Sequence, residues 1–432
     1  MKQNQKGFSH LLLLVMLLAV IAIVGYTGYR VFSGNKNNST SNMPTGAHQV
    51  NPEDANSTDP VTKGRFLTGG NCSGSGSRTL THTLMDINNI DDIQPMGLMI
   101  GGHVTPVDHE YYWGPGGSNS PVDAYPVYAD ADGTISQVQY ANDGQKIAWW
   151  VTIAHSCTFI SNYNLLTSLA PTLKAKVTTG TGDHWEAVVN MPVKSGQLIG
   201  YVGHQSLDFQ VWDTTKTLKG FLNPIAYNNR EPWKINTVAP LDYFTSAVKS
   251  QILPKYLRTV APLDGRIDYD VYGEAVGNWF LEGTNGYAGG NEQGNSNYYG
   301  GHLSLTYNYL DPSAEEFSIG NYQGQPTQFA VTGDVDWTKI TSSSGLVKVG
   351  LAQPNLVTTS GQIWSGQFSQ NIKLEAGPNE ATALLQMTGA ETMKVEVFPG
   401  KVPAQINNFD SSVQTYNRGQ DAHLTTSNTA TH

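Results

Sequence analysis

From residue 96 onward the chain is cut into short runs of β-branched and aromatic residues, and this punctuation limits its fold more than any other feature. Residues 127–129, 134–140, 148–153, 187–189 and 209–212 are such runs, with Gly, Asp and Asn between them. Side chains of that kind fit a pleated, half-buried surface, and the intervening residues supply turns. Asp132-Gly133 and Asp143-Gly144 are pairs of the type that closes hairpins. Strands at this spacing predict a mostly β chain of sandwiches or barrels rather than a parallel α/β sheet. A charged fraction of only 14%, with 45 Gly and 21 Tyr, suits turn-rich sheets better than helical bundles. Residues 163–173 are the most helix-like exception, ending near Pro171.

The first 64 residues differ. Residues 8–29 contain no Asp, Glu, Lys or Arg, a run about as long as the roughly 20 helical residues that cross a bilayer. Lys2 and Lys6 precede it, and a positive flank favours a cytoplasmic N-terminus. The expectation is a short cytoplasmic end (1–7), a transmembrane helix (8–29) and domains outside the cytoplasm, with the chain at the cell membrane as a single-pass protein. A cleaved signal peptide is the competing reading, although no small-x-small cleavage site precedes the polar stretch. Lys6-Gly7-Phe8-Ser9 is similar to a type IV prepilin processing site, but Leu12 stands where that site has a glutamate. Residues 30–64, dominated by Asn, Ser, Thr, Pro and Gly, have too little apolar surface to fold and are expected to be a flexible tether.

Beyond the tether the sequence divides into a β-domain (65–239), a connector (240–256), a second β-domain resembling a barrel or sandwich (257–409) and a polar tail (410–432). Leu241, Phe244, Val248 and Ile252 recur at helical spacing in the connector. Strands are predicted over 265–271, 301–309, 317–320, 347–351, 383–387 and 394–398, with 283–301 as a long surface loop. A net charge of −10 with no basic stretch argues against a nucleic-acid partner. Two cysteines, Cys72 and Cys157, exclude both a disulfide-rich scaffold and a Cys-based zinc site. One disulfide outside the cytoplasm and two buried thiols both remain open.

Three pieces of the first β-domain carry a resemblance. They are the stretch from Gly102-His103-Val104-Thr105-Pro106-Val107-Asp108-His109 to Pro126-Val127-Tyr128-Ala129, the stretch from Val151 to Tyr163-Asn164-Leu165-Leu166, and Ser206-Leu207-Asp208-Phe209 after the run 193–203. In this order they resemble the lysostaphin-type zinc peptidases of the duplicated hybrid motif class, which cut peptide cross-links in bacterial cell walls. The resemblance covers about a quarter of the chain. It implies a zinc ion held by a His and an Asp of a His-x-x-x-Asp motif and by the second His of a His-x-His motif. Two further histidines assist the reaction.

Carried over residue by residue, Leu165 replaces the assisting His of Tyr-x-His-Leu. Ser206 replaces the other assisting His, and Asp208 replaces the ligand His. The first ligand pair is displaced as well: His103 and Asp108 are five apart, and four residues beyond His109 stands Trp113. On a regular strand, positions five apart face opposite ways, unless Pro106 imposes an irregularity. The metal candidates are therefore His103, Asp108, His109 and Asp208, zinc is the cation the resemblance implies, and no catalytic residue is assigned. His155 with Cys157 could form a thiol site, and Asp268 with Asp270, Glu274 and Glu282 a carboxylate site, but strand and turn roles explain both more simply. Trp279, Tyr287, Tyr298, Tyr299 and Tyr307 could stack sugars, but core packing accounts for most of them. The expected function is a membrane-anchored envelope protein with a catalytically degenerate peptidase-like domain used for binding or regulation, its partner a cell-wall peptide or glycan. An active metal-dependent endopeptidase and a carbohydrate-binding surface protein are the alternatives.

Overall fold

The punctuated runs fold as antiparallel strands. The structure, a computed structural model, describes residues 51–144, 146–290 and 297–419. The expected membrane span over 8–29 lies outside these residues, and among the described residues no helix is long and apolar enough to cross a membrane.

The first half is built from β1 (Asp92–Gln94), β2 (Glu110–Trp113), β3 (Tyr125–Tyr128), β4 (Gly133–Asn142), β5 (Ile147–Ser156), β6 (Phe159–Leu166), β7 (Ser168–Leu169), β8 (His184–Val193), β9 (Leu198–Val202), β10 (Leu207–Asp213) and β11 (Thr237–Val238). The main sheet runs β1-β2-β10-β6-β5-β4-β8, with β11 paired to β10, and β3-β9-β7 forms a smaller sheet. Alternation along the strands sorts the two faces. Val138, Val151, Ile153, Tyr163, Phe209 and Val211 enter the main core. The opposite face carries Gln137 and Gln139 of β4, Thr152 of β5, Asn162 and Asn164 of β6, and Gln210 of β10, around a small cavity.

The second half is a closed eight-stranded barrel of β12 (Gly277–Leu281), β13 (His302–Tyr307), β14 (Glu315–Tyr322), β15 (Gln325–Thr332), β16 (Val347–Val357), β17 (Lys373–Gly389), β18 (Thr392–Pro399) and β19 (Gln414–Asn417). Closure leaves no unpaired edge. Trp279 and Trp337, both fully buried, fill its interior.

Several expectations are corrected. The tether was expected to reach residue 64, yet residues 52–67 are folded: a 3-10 turn (Pro52–Asn56) leads to helix α1 (Pro60–Leu67). Asp59 accepts the Thr62 amide as N-cap and Pro60 presets the first turn. Ala55, Phe66 and Leu67 then bury against Ile160 and Trp212, so three apolar residues in a polar stretch suffice once a sheet receives them. The helix-like stretch 163–173 is largely strand, because β6 continues to Leu166 with Tyr163 and Leu166 in the core; only Pro171–Lys174 (α2) is helical. No strand forms over 265–271, where Asp268 and Asp270 instead accept the Gly220 and Leu222 amides. Tyr287 and Tyr298 in the expected surface loop are buried at 3%. The expected polar tail supplies β19, and Arg418 is buried on Asp270 at 2.8 Å. The connector forms one short helix (Ser246–Ile252), and Leu241, Phe244, Val248 and Ile252 all join the core of the first half.

Cys72 and Cys157 form a disulfide, closing a loop of sequence separation 85. By chain entropy a loop of that size is stabilised by about 4–5 kcal/mol. Thiol labelling of the unreduced, denatured chain is expected to find no reactive cysteine; two per chain would contradict the bridge.

Candidate functional site

The site is assembled from the segment before β2 and from the first residues of β10. Ile100 and His103 exchange both backbone hydrogen bonds, at 3.0 and 2.9 Å, and this tight turn breaks any strand there. Asp108 and His109 sit in the following loop, so the alternation that would have separated His103 from Asp108 does not apply. β10 pairs with β2 so that Asp208 lies opposite Tyr111, which sets Asp208 beside the loop. The four residues singled out as metal candidates thus meet. His109 Nδ1 lies 3.3 Å from Asp108 Oδ1, and His109 Nε2 lies 3.3 Å from Asp208 Oδ2. The His103 ring stands edge-on to that of His109 with centroids 6.0 Å apart.

The surroundings finish the arrangement. Trp233 Nε1 donates to Asp108 Oδ2 at 2.9 Å, and Ser206 Oγ donates to Asp208 Oδ1 at 2.6 Å. The Tyr111 ring packs 4.9 Å from that of His109. Lys234, itself buried, pairs with Glu231 at 3.5 Å and draws on Asp108 electrostatically. Sequence spacing gave no hint of Trp233 or Lys234, which lie some way beyond Asp208 in the chain. The polar row on the sheet face was readable as period-two alternation, Gln137 with Gln139 and Asn162 with Asn164.

Charge is unevenly held here. Burial opposes a charge on His109, but Asp208 and Asp108 outweigh it and raise its pKa. Burial likewise works against an ionised Asp108, yet Lys234 and His109 hold it well below the usual carboxylate range. Burial pushes Asp208 up to about 6, with His109 and Ser206 limiting the rise. His103, partly accessible but hemmed in, is lowered to about 3, chiefly by burial and next by His109. The site therefore sets an imidazole between two carboxylates that both favour its charged form.

Whether these donors fit a zinc ion follows from their engagements. Zinc needs three protein ligands and an open position. The two Asp108 oxygens face His109 Nδ1 and Trp233 Nε1, and one Asp208 oxygen accepts from Ser206. His109 Nε2 and Asp208 Oδ2 are buried without a hydrogen-bond partner and face one another, a pair rather than a set of three. Among the described residues no three His, Cys, Asp or Glu side chains are placed to hold one metal ion. The residues do not fit zinc.

The assisting positions are filled otherwise. Leu165, 1% exposed, packs with Trp150, Ala141 and Ala148. Its φ of 64° is left-handed, a conformation that costs a branched residue roughly 1–2 kcal/mol. The β5–β6 register shifts there, which places Leu165 and Asn164 on the Trp150 side together. His155 is not at the site: its Nε2 meets Ser161 Oγ at 2.9 Å and Asp130 Oδ1 at 3.3 Å in a fully buried structural pair. Cys157 is committed to the disulfide. Asp270 serves Arg418, and Trp279 and Tyr287 serve the barrel interior and its base.

No family model matches the chain, and no curated protein does. Among solved structures it is similar to the NMR solution structure of lysostaphin, at 14% identity over 68% of this chain and 98% of that one, with a TM-score of 0.20. A score that low assigns no common fold.

A raised imidazole pKa contributes stability that is complete below the ordinary value of about 6.5 and is lost as pH rises through the raised value. NMR titration of His109 is expected to place its midpoint above 6.5, and Asp208→Asn to lower it. A native midpoint at or below the ordinary value would show that His109 is not held as an imidazolium.

Proposed function

We propose that the first β-domain is a peptidase-like binding module of the cell envelope, held at the membrane by the N-terminal apolar segment, in which an internal ion pair stands where lysostaphin-type enzymes keep their metal. The observation that carries this reading is the position of His109 between Asp108 and Asp208, with the other carboxylate oxygens bound by Trp233 and Ser206. A protonated imidazole supplies the positive charge that the two carboxylates need, and it leaves no open coordination position for a water nucleophile.

The proton-transfer groups support the same reading. Leu165 has no titratable atom, and Ser206 is a donor to Asp208 rather than a base. General acid–base help typically contributes about 10²–10⁴-fold, so a chain without both histidines would be slow even with a metal. What such a domain retains is a shaped cleft on a rigid sheet, which is enough to bind a cell-wall peptide or glycan or to regulate a partner that does.

The test is hydrolysis. The full chain, incubated with purified cell-wall material, is expected to release no peptide above buffer, with or without added zinc or a chelator. Chelator-sensitive release, lost in Asp208→Ala, would overturn the reading.

A further inference from the structure

The hairpin of β16 and β17 is longer than the barrel needs. Only residues 350–352 of β16 pair with β15, and only residues 381–389 of β17 pair with β18. Residues 354–357 and 373–376 pair with each other and with no further strand, so they leave the barrel as a two-stranded ribbon. Such a ribbon is marginal in water by itself, and the root of this one is held from the side. Ile372, 2% exposed, packs on Leu257, Tyr309 and Leu310. Gln370 donates to the Tyr256 carbonyl at 3.1 Å, and Thr259 Oγ1 donates to Asn371 Oδ1 at 2.9 Å.

The loop at the tip, residues 358–371, is tied to itself and faces solvent. The Thr358 amide donates to the Gln362 carbonyl at 2.9 Å, and the Gly361 amide donates to the Thr358 carbonyl at 2.8 Å. The Trp364 amide donates to the Leu356 carbonyl at 2.7 Å, and its Nε1 donates to the Gln367 carbonyl at 2.6 Å. Held this way, the loop leaves Ile363 52% and Phe368 42% exposed, and Val260, next in sequence to Thr259 at the root, 50% exposed. The run 349–372 contains no Asp, Glu, Lys, Arg or His. β5 and β6 are also free of Asp, Glu, Lys and Arg, but they are buried in the main sheet. Here the charge is missing from a surface, where solubility favours charge and disfavours exposed Ile and Phe.

The surroundings that fit this chemistry are those of a bilayer surface. Charged side chains are costly below the headgroups, whereas Trp is favoured at headgroup level and Ile and Phe below it. A protein partner is selected with Arg and a charged rim that fix register, and this run offers neither. The chain ahead of the described residues points the same way. On the reading of 8–29 as a membrane anchor, residues 30–50 are the link to the folded part. As a flexible chain a link of that length averages about 25 Å end to end, and it sets an effective concentration on the order of millimolar at the bilayer, so a weak contact suffices. We propose that the tip of the β16–β17 ribbon dips Ile363, Trp364 and Phe368 into the surface of the membrane that anchors the chain, a second contact that fixes how the folded part is oriented. The proposal rests on the anchored reading and goes beyond it.

Both native cysteines are bridged, so Ser365→Cys gives one attachment point at the tip for a polarity-sensitive fluorophore. Val122→Cys, at a position 61% exposed in the first β-domain, is the control. Each labelled full chain is reconstituted with phosphatidylcholine vesicles and floated on a density gradient. The expected result is a blue shift of the tip label on vesicles, its quenching by lipids brominated on the acyl chains, and neither change at the control. Ile363→Ser with Phe368→Ser, both at exposed positions, should abolish the shift while the chain still floats, and Ile363→Asp should do so by a second route. A floated chain whose tip label does not shift overturns the proposal and leaves the anchored reading standing. A shift that survives the double serine variant, or an equal shift at the control, also overturns it. So does a shift that rises with protein concentration in the absence of lipid, which would make a second copy the occupant. A chain that does not float overturns the anchored reading and the proposal together.

Discussion

Asp108 and Asp208 are buried on either side of His109, and two carboxylates in that setting cannot both ionise without a cation between them. A metal ion is one solution and a protonated side chain is another. In this protein His109 occupies the gap, 3.3 Å from each, and Lys234 adds a second positive charge near Asp108. Removing one partner of such a buried set typically costs 3–5 kcal/mol, because the remaining charge is left uncompensated. The loop before β2, the first turn of β10 and the segment bearing Trp233 and Lys234 are therefore bound to each other through this cluster as much as through apolar packing.

The sheet makes the cluster geometrically unavoidable. β10 is flanked by β2 and β6 and also pairs with β11, so its residues are fixed from several directions. Its inward positions, Phe209 and Val211, hold the core, and of its other positions Gln210 and Trp212 line the cavity while Asp208 faces His109. The same alternation that sets the fold thus delivers the polar groups. The segment before Cys72 adds a third layer, joined to the sheet by a disulfide and by a few apolar contacts.

Strand positions were legible because β-branched and aromatic runs with Gly or Asp between them leave little choice, and residues 148–153 and 209–212 fall within β5 and β10. What local pattern did not reveal was decided by distant partners. Residues 52–67 read as too polar to fold, since the sheet that receives Phe66 and Leu67 is formed by residues far along the chain. Residues 163–166 read as helix-like, although Tyr163 and Leu166 are claimed by the core. That the four candidates lie near one another was legible; the chemistry between them was not. His103, Asp108, His109 and Asp208 were identified from motif positions, and they do meet. That His109 would face both carboxylates at once depended on a turn at His103 and on the β2–β10 register, neither of which spacing encodes.

Calorimetric titration of the full chain with zinc, alongside metal analysis of the protein as purified, bears most directly on the claim that His109 rather than a metal ion balances the two buried carboxylates. The expected result is no saturable zinc binding and no bound transition metal, with a Tm unchanged by zinc or by a chelator. One zinc per chain, with binding lost in His109→Ala or Asp208→Ala, would contradict it.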